Sequence, residues 1–146
     1  MEFWRIINEA PDYEINTKGE IRSCITGKEI LPSFTEAYLK VSLATTSGRI
    51  TRSVKTLVAN AFLEIPDIES TAVIVLDNNQ SNVDVENLAW RPRWFAWKYA
   101  NQFKIIPPHY RVYPIVNVTM NISYDSVVDC AMTEGLLFGD IWRSAF

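Results

Sequence analysis

The sequence has little histidine, little cysteine and no long apolar run. His109, within IIPPHYR, is the single histidine of 146 residues, and one imidazole excludes every mechanism that requires two. Cys24 and Cys130 lie far apart and form no CxxC pair. The four close ligands of a thiolate zinc site are therefore missing, and two free thiols are expected. No apolar stretch approaches the ~20 residues needed to span a bilayer. The opening MEFWRIINEAPDYE is acidic and broken by Pro11. It lacks the basic and apolar regions of a signal peptide, which makes the cytoplasm the expected compartment and sets membranes aside as a partner.

What is present fits one compact domain, or one domain with a small appendage. Hydrophobic residues at 48% and charged residues at 21% are ordinary for a soluble globular chain, and five Trp supply bulk for a core. The net charge of −3 conceals a segregation along the chain. Residues 1–60 are nearly balanced at +1, whereas residues 61–90 carry six acids and no base. Residues 91–111 then carry Arg91, Arg93, Lys98, Lys104 and Arg111 with no acid, and residues 112–146 return to −3. Overall acidity weakens any expectation of tight DNA binding, because phosphate neutralisation supplies most non-specific affinity; a local basic stripe can still bind.

Periodicity organises the rest. YEIN (13–16) and EIRS (20–23) alternate around the turn TKG (17–19), which predicts the start of a β-meander. AYLKVSLA (37–44) places Tyr38, Lys40, Ser42 and Ala44 on one face and Leu39, Val41 and Leu43 on the other. After the turn TTSG (45–48), RITRSV begins another strand. In VKTLVANAFL (54–63) the period changes: Val54, Leu57, Val58, Ala61 and Phe62 mark one face of a helix. EIPDIES (64–70) is a loop, TAVIVL (71–76) a short buried strand, and DNNQSN (77–82) is rich in residues that bond their own backbone or accept left-handed geometry. Pro92 suits the first turn of a helix over RPRWFAWKYANQF (91–103), with Phe95, Lys98 or Tyr99, and Gln102 or Phe103 along one side. A β segment is predicted at 112–119, then two short helices at 126–134 and 137–146 hinged near Gly135.

Several stretches together resemble a known family. PDYEINTKGEIRS (11–23), then Gly27-Lys28, Leu31-Pro32 and YLKVSL (38–43), are similar to a nuclease-associated module that precedes small phage and intron-encoded homing endonucleases of the HNH type. SVKTLVANAF (53–62) is similar to that family's VHRLVA.AF, with Lys55 and Thr56 at its His and Arg positions. VIVLDNNQSNVDVENLAW (73–90) aligns without a gap to VNHIDGN...N.VENLEW. At the C-terminus, Tyr124, Ser126, Ala131, Gly135 and Ile141 carry a fainter likeness to a nuclease-associated helix-turn-helix module.

The resemblance implies a catalytic unit of two strands and a helix around one divalent metal. A His takes a proton from water, its neighbour and a helix residue hold the metal, and a central Asn fixes the His. Those positions fall here on Val75, Ile74, Ala96 and Asn87. A phosphodiester must meet an activated water while a cation stabilises the leaving oxygen, and Mg²⁺ needs oxygen or nitrogen donors at close range. Ile, Val and Ala offer neither, so the expectation is a chain without cutting chemistry, metal site or cofactor. Loss of the general base alone costs ~10²–10⁴-fold. Asp77, Asp84 and Glu86 are the nearby acids, read as turn caps rather than as relocated ligands, and His109 lies too far along the chain to align with the motif.

The basic aromatic block is the expected seat of a surviving function, since cations pair with phosphates and exposed aromatics stack on bases. The candidates are Arg91, Arg93 and Lys98, extended by Lys40, Arg49, Arg52, Lys55 and Arg22, with a solvated helix face as the alternative. Trp90 and one of Trp94 or Trp97 are expected in the core. The fold expected is α+β: a nuclease-associated β module (1–50), a degenerate HNH-like unit (51–104), and a C-terminal strand with a helical pair (105–146). DNA or another nucleic acid is the expected partner. The competing reading is a scaffold that binds protein, or itself, through the apolar tail LLFGDIWRSAF.

Overall fold

A computed structural model of the chain describes residues 3–35 and 37–146; Met1 and Glu2 of the acidic opening, and Glu36, lie outside the described residues. An antiparallel sheet runs in chain order through β1 (Trp4–Ile7), β2 (Ala10–Asn16), β3 (Ile21–Ser23) and β4 (Glu29–Ile30). The β2–β3 turn is built around a fully buried Asn16. Its Oδ1 accepts from the backbone N–H of Lys18 at 3.0 Å and of Glu20 at 2.9 Å, and its amide donates to Glu20 Oε2 at 2.8 Å. A second antiparallel sheet joins β5 (Ser33–Thr35), β6 (Tyr38–Thr45) and β7 (Gly48–Ser53). Val41 and Leu43 of β6 point into the core while Ser42 and Ala44 stay exposed, as the alternation predicts.

Helix α1 (Val54–Phe62) follows β7 directly and buries Val54, Leu57, Val58 and Ala59. It ends at Leu63, whose N–H still reaches Ala59 O at 2.9 Å although its backbone is already extended. The hairpin of β8 (Ala72–Val75) and β9 (Leu88–Arg91) comes next, with Val73 opposite Trp90 and Val75 opposite Leu88. Pro92 then turns the chain into α2 (Arg93–Gln102). The last third differs from expectation in two respects. The predicted β segment 112–119 contracts to β10 (Ile115–Asn117), because Pro108–Arg111 forms a 3-10 turn and Asn117 Oδ1 accepts from the N–H groups of Thr119 and Met120, turning the chain back. The partner strand β11 (Ile122–Tyr124) lies where a polar turn was expected. Helices α3 (Val127–Glu134) and α4 (Phe138–Ala145) flank a left-handed Gly135, and Ser126 caps α3 by accepting from Asp129 N–H at 3.2 Å.

Buried apolar side chains fall into two clusters. One gathers both N-terminal sheets, α1 and the inward face of the β8–β9 hairpin. The other gathers β10, β11, α3 and α4. Among the described residues no helix is long and apolar enough to cross a membrane.

Gly19 shows how tightly the first cluster closes. At φ +85°, a Cβ placed there would stand 2.6 Å from Val83 Cγ2 and 3.2 Å from Val54 Cγ1. Gly19→Ala combines left-handed strain with that overlap and is expected to cost about 1–3 kcal/mol. Urea unfolding measures it, and an unchanged midpoint would contradict this packing.

Candidate nucleic-acid interface

The hairpin and α2 together form the strand–turn–strand–helix frame on which a site can be built. Side chains alternate along β8, so Val73 and Val75 pack into the N-terminal cluster, whereas Ile74 faces α2 and the α3–α4 junction. Ile74 and Val75 are each only 3% exposed. The connecting turn is closed by Asn87. Its Oδ1 accepts from Asp77 N–H at 3.1 Å, and its amide donates to Asp77 Oδ1 and to Asn82 O, both at 2.9 Å. Asn78 adopts φ 59°, the left-handed geometry expected where the family pattern has Gly.

Asp77 is consumed by the same turn. Its carboxylate accepts from Asn79 N–H at 2.8 Å, from Asn82 at 3.0 Å and from Asn87. Burial pushes its pKa up, but these hydrogen bonds outweigh burial and hold it below the ordinary carboxylate value. Asp84 caps a 3-10 turn by accepting from Glu86 N–H at 3.0 Å. Both acids thus serve the turn.

Beside the hairpin lies a groove of about 530 Å³, in which Ile74, Val75 and Ala96 meet Lys55, Asn78 and Arg93. These are the positions at which the family resemblance would put a proton acceptor and metal ligands. The residues present do not fit a divalent ion, because the three at the ligand and base positions carry no donor atom and the groove contains an ammonium instead. Among the described residues no three His, Cys, Asp or Glu side chains gather closely enough to hold a metal. Lys55 Nζ donates to Gln80 Oε1 at 3.2 Å, and burial lowers its pKa. His109 lies outside the groove, with its ring 4.4 Å from that of Tyr110 and 4.8 Å from that of Trp142.

The candidate cations separate into two groups. Arg22 donates to Glu14 at 2.5 Å and lies 3.7 Å over the ring of Trp4; Arg52 donates to Glu9 at 2.6 Å. Arg91 turns inward, donating to Trp90 O at 2.8 Å and to Glu134 O at 3.1 Å. These three are matched within the chain and lie apart from the groove. Lys55 and Arg93 line it. Lys40 shares a strand face with Tyr38, itself a groove residue, and cross-strand register puts Arg49 on that face too, its Nε 3.3 Å from Ser42 Oγ. Lys98 projects from α2 over the ring of Trp94 at 5.5 Å. Among the described residues, Lys40, Lys55, Arg93 and Lys98 have no carboxylate within ion-pair distance.

Expectations about the tryptophans need correction. Trp90 is buried, but Trp94 and Trp97 are 60% and 69% exposed, so neither joins the core. The buried aromatic of α2 is Tyr99, at 1% exposure. It stacks on Phe95 and meets Phe103 edge-on, at i±4, and Phe103 continues to Phe138 of α4. The Tyr99 hydroxyl donates to Leu76 O at 2.6 Å and lies 3.1 Å from Ala131 O, tying the hairpin, α2 and α3 together. Gln102 completes the joint, donating to Leu136 O at 3.2 Å and accepting from Phe138 N–H at 2.8 Å. The i, i+4, i+8 spacing of Phe95, Tyr99 and Phe103 was the available signal for this face; Trp97 lies in the basic aromatic block that the sequence marks, whereas nothing in the sequence singles out Tyr38 or Gln80 for the groove.

No family model and no curated protein matches the sequence. Among solved structures, the chain is similar to the HNH homing endonuclease I-HmuI, in a structure concerned with that protein's DNA binding and cleavage. The match has a TM-score of 0.61 at 22% identity and covers 97% of this chain and 88% of that one. The chain therefore has an α+β fold of HNH-like form.

Tyr99→Phe removes one hydroxyl and leaves Leu76 O short of a donor, while Ala131 O keeps the N–H groups of Gly135 and Leu136. It is expected to cost about 1–3 kcal/mol in urea unfolding without altering the far-UV dichroism. A neutral substitution would show that this hydroxyl does not join the two clusters.

Proposed function

We propose that the chain is a catalytically silent HNH-like protein that binds nucleic acid through the face around the groove. The observation that carries this reading is the placement of Ile74, Val75 and Ala96 at the implied metal and base positions, beside the ammonium of Lys55. Water is activated by a proton acceptor and a leaving oxygen is stabilised by a cation; the aliphatic side chains provide no route to either. Binding needs neither. It needs positive charge and surface, which Lys55 and Arg93 supply in the groove, with Lys40 on the strand face that Tyr38 shares and Lys98 on the same helix as Arg93. The likeness of residues 4–90 to modules of phage and intron-encoded enzymes supports an origin in a mobile element and a regulatory use, in which occupying a nucleic acid without breaking it is the activity.

A second reading has its own observation. Val116, Val118 and Leu136 are exposed around an apolar groove of about 450 Å³ formed by β10, α3 and α4, a surface suited to a protein partner or a second copy of the chain. Light scattering across a concentration series separates the two readings: a stable dimer insensitive to added DNA favours the second.

For the first reading, fluorescence anisotropy of labelled DNA across a salt series is expected to give a log–log slope of roughly −2 to −4, about −0.9 for each phosphate neutralised. The double change Arg93→Glu with Lys98→Glu is expected to make that slope shallower by about 2. Plasmid incubated with the protein and Mg²⁺ is expected to remain as supercoiled as the buffer control. Salt-insensitive binding would reject the interface, and metal-dependent nicking would reject the silent centre.

A further inference from the structure

We propose that the groove beside the hairpin is a metal-independent site for an unpaired nucleotide, with its phosphate on Lys55 and Arg93 and its base against Trp97. This rests on the nucleic-acid reading and narrows it to a form of ligand. The groove, at about 530 Å³, falls within the ~300–1,000 Å³ range of small-molecule clefts. Its lining has two chemistries in one space. Lys55, held by Gln80 at 3.2 Å, and Arg93 make one part cationic. Trp97, Tyr38 and Ala96 make the other part aromatic and apolar. A phosphate alone would leave the indole without a partner, and an apolar ligand alone would leave two cations without one. A nucleotide has an anion and a flat π-face within reach of each other.

Trp97 is the residue that distinguishes single strands from duplex. The packing of α2 is already met by Phe95, Tyr99 and Phe103, so a second large aromatic at 69% exposure adds little to the core. Bases in a duplex are stacked on one another and paired at their edges, and they reach a lateral groove only after extrusion. An unpaired base has a free face, and stacking on an aromatic contributes at every base type. Lys55 gives the groove a cationic group built into the chain, so phosphate capture there does not wait for a divalent ion. Holding that cation half-buried costs the fold: burial lowers the Lys55 pKa, the sign expected of a charge kept in place against its desolvation.

The test is anisotropy titration of the full chain with labelled oligothymidylate and with mixed-sequence duplex of equal length, each in EDTA and in Mg²⁺. The single strand is expected to bind at least roughly fivefold tighter than duplex, equally in both buffers. Trp97→Ala is expected to weaken the single strand by roughly 5- to 150-fold, the value of stacking one base, and to leave duplex binding unchanged. Trp97 is exposed, so this variant folds. Lys55→Met is expected to weaken single-strand binding while raising the urea midpoint, a pairing that a purely structural lysine would not give. Duplex binding as tight as single-strand binding, loss of binding in EDTA, or a Trp97→Ala variant that binds like the parent would each overturn the nucleotide site while leaving the nucleic-acid reading standing. Absence of binding to both forms at low salt would remove the parent reading and this one together.

Discussion

A two-stranded hairpin is marginal by itself in water, so β8–β9 persists because both of its faces are covered. On one face Val73, Val75, Leu88 and Trp90 belong to the N-terminal cluster packed on α1. On the other, Ile74 meets α2 and the α3–α4 junction, where a Cβ at Gly135 would come within 3.2 Å of its Cδ1. Burying each aliphatic side chain contributes about 1.5–3 kcal/mol. The same strand therefore joins the two halves of the molecule, and the Tyr99 hydroxyl closes the joint from the helix side. A polar pair at 74 and 75 would have to be satisfied by a bound ion or by water to be tolerated there. With Ile and Val at those positions, the strand itself is held by packing, and side-chain polar bonds act at its turn and through Tyr99. Stability is served by this aliphatic pair, which fills both faces of the strand.

Elements with a strong local period were legible in the sequence. VKTLVANAFL reads as a helix and forms one over Val54–Phe62; TAVIVL reads as a buried strand and contains Ala72–Val75; the Gly135 hinge separates two helices as its position predicts. The DNNQSN turn was also legible, because Asp77, Asn78 and Asn82 have side chains that bond locally. What escaped was decided by partners distant in sequence. Trp94 and Trp97 are one turn apart on a helix and look like core, but the inward side of α2 was set by where the hairpin and α3 lie, which selected Phe95, Tyr99 and Phe103. Ile122–Tyr124 is a strand only because Asn117 turns the chain back onto Ile115–Asn117.

Charge follows the same rule. Composition marks 91–111 as a uniformly basic block, yet Arg91 spends its guanidinium on Glu134 O, near the end of α3 where carbonyls lack partners. Arg22 and Arg52 are matched by Glu14 and Glu9 through cross-strand and inter-sheet proximity, at sequence separations of 8 and 43. Strand register cannot be read from a single strand's composition. The cations that line the groove come from separate segments, Lys55 at the start of α1 and Arg93 at the start of α2, and Lys40 of β6 lies on the strand face that Tyr38 shares. The candidate site at 74, 75, 87 and 96 was legible as positions because one contiguous motif carries most of it. Its neighbour Lys55 was already a candidate cation in the sequence, whereas Gln80 and Tyr38 enter only through the fold.

The acidic balance of the chain bears on how such a face can hold nucleic acid at all. With a net charge of −3, the long-range field repels a polyanion, and only the few cations around the groove release counterions on contact. Electrostatics alone then gives weak, salt-sensitive association. Stacking on an exposed indole is short-range, little affected by salt, and worth about 1–3 kcal/mol per base. A surface with few cations and two exposed tryptophans on one helix shifts the balance from charge toward stacking. That balance favours ligands whose bases are accessible. It also disfavours duplex, which presents its phosphates outward and its bases only at their edges, so that the acidic remainder of the surface meets charge with charge.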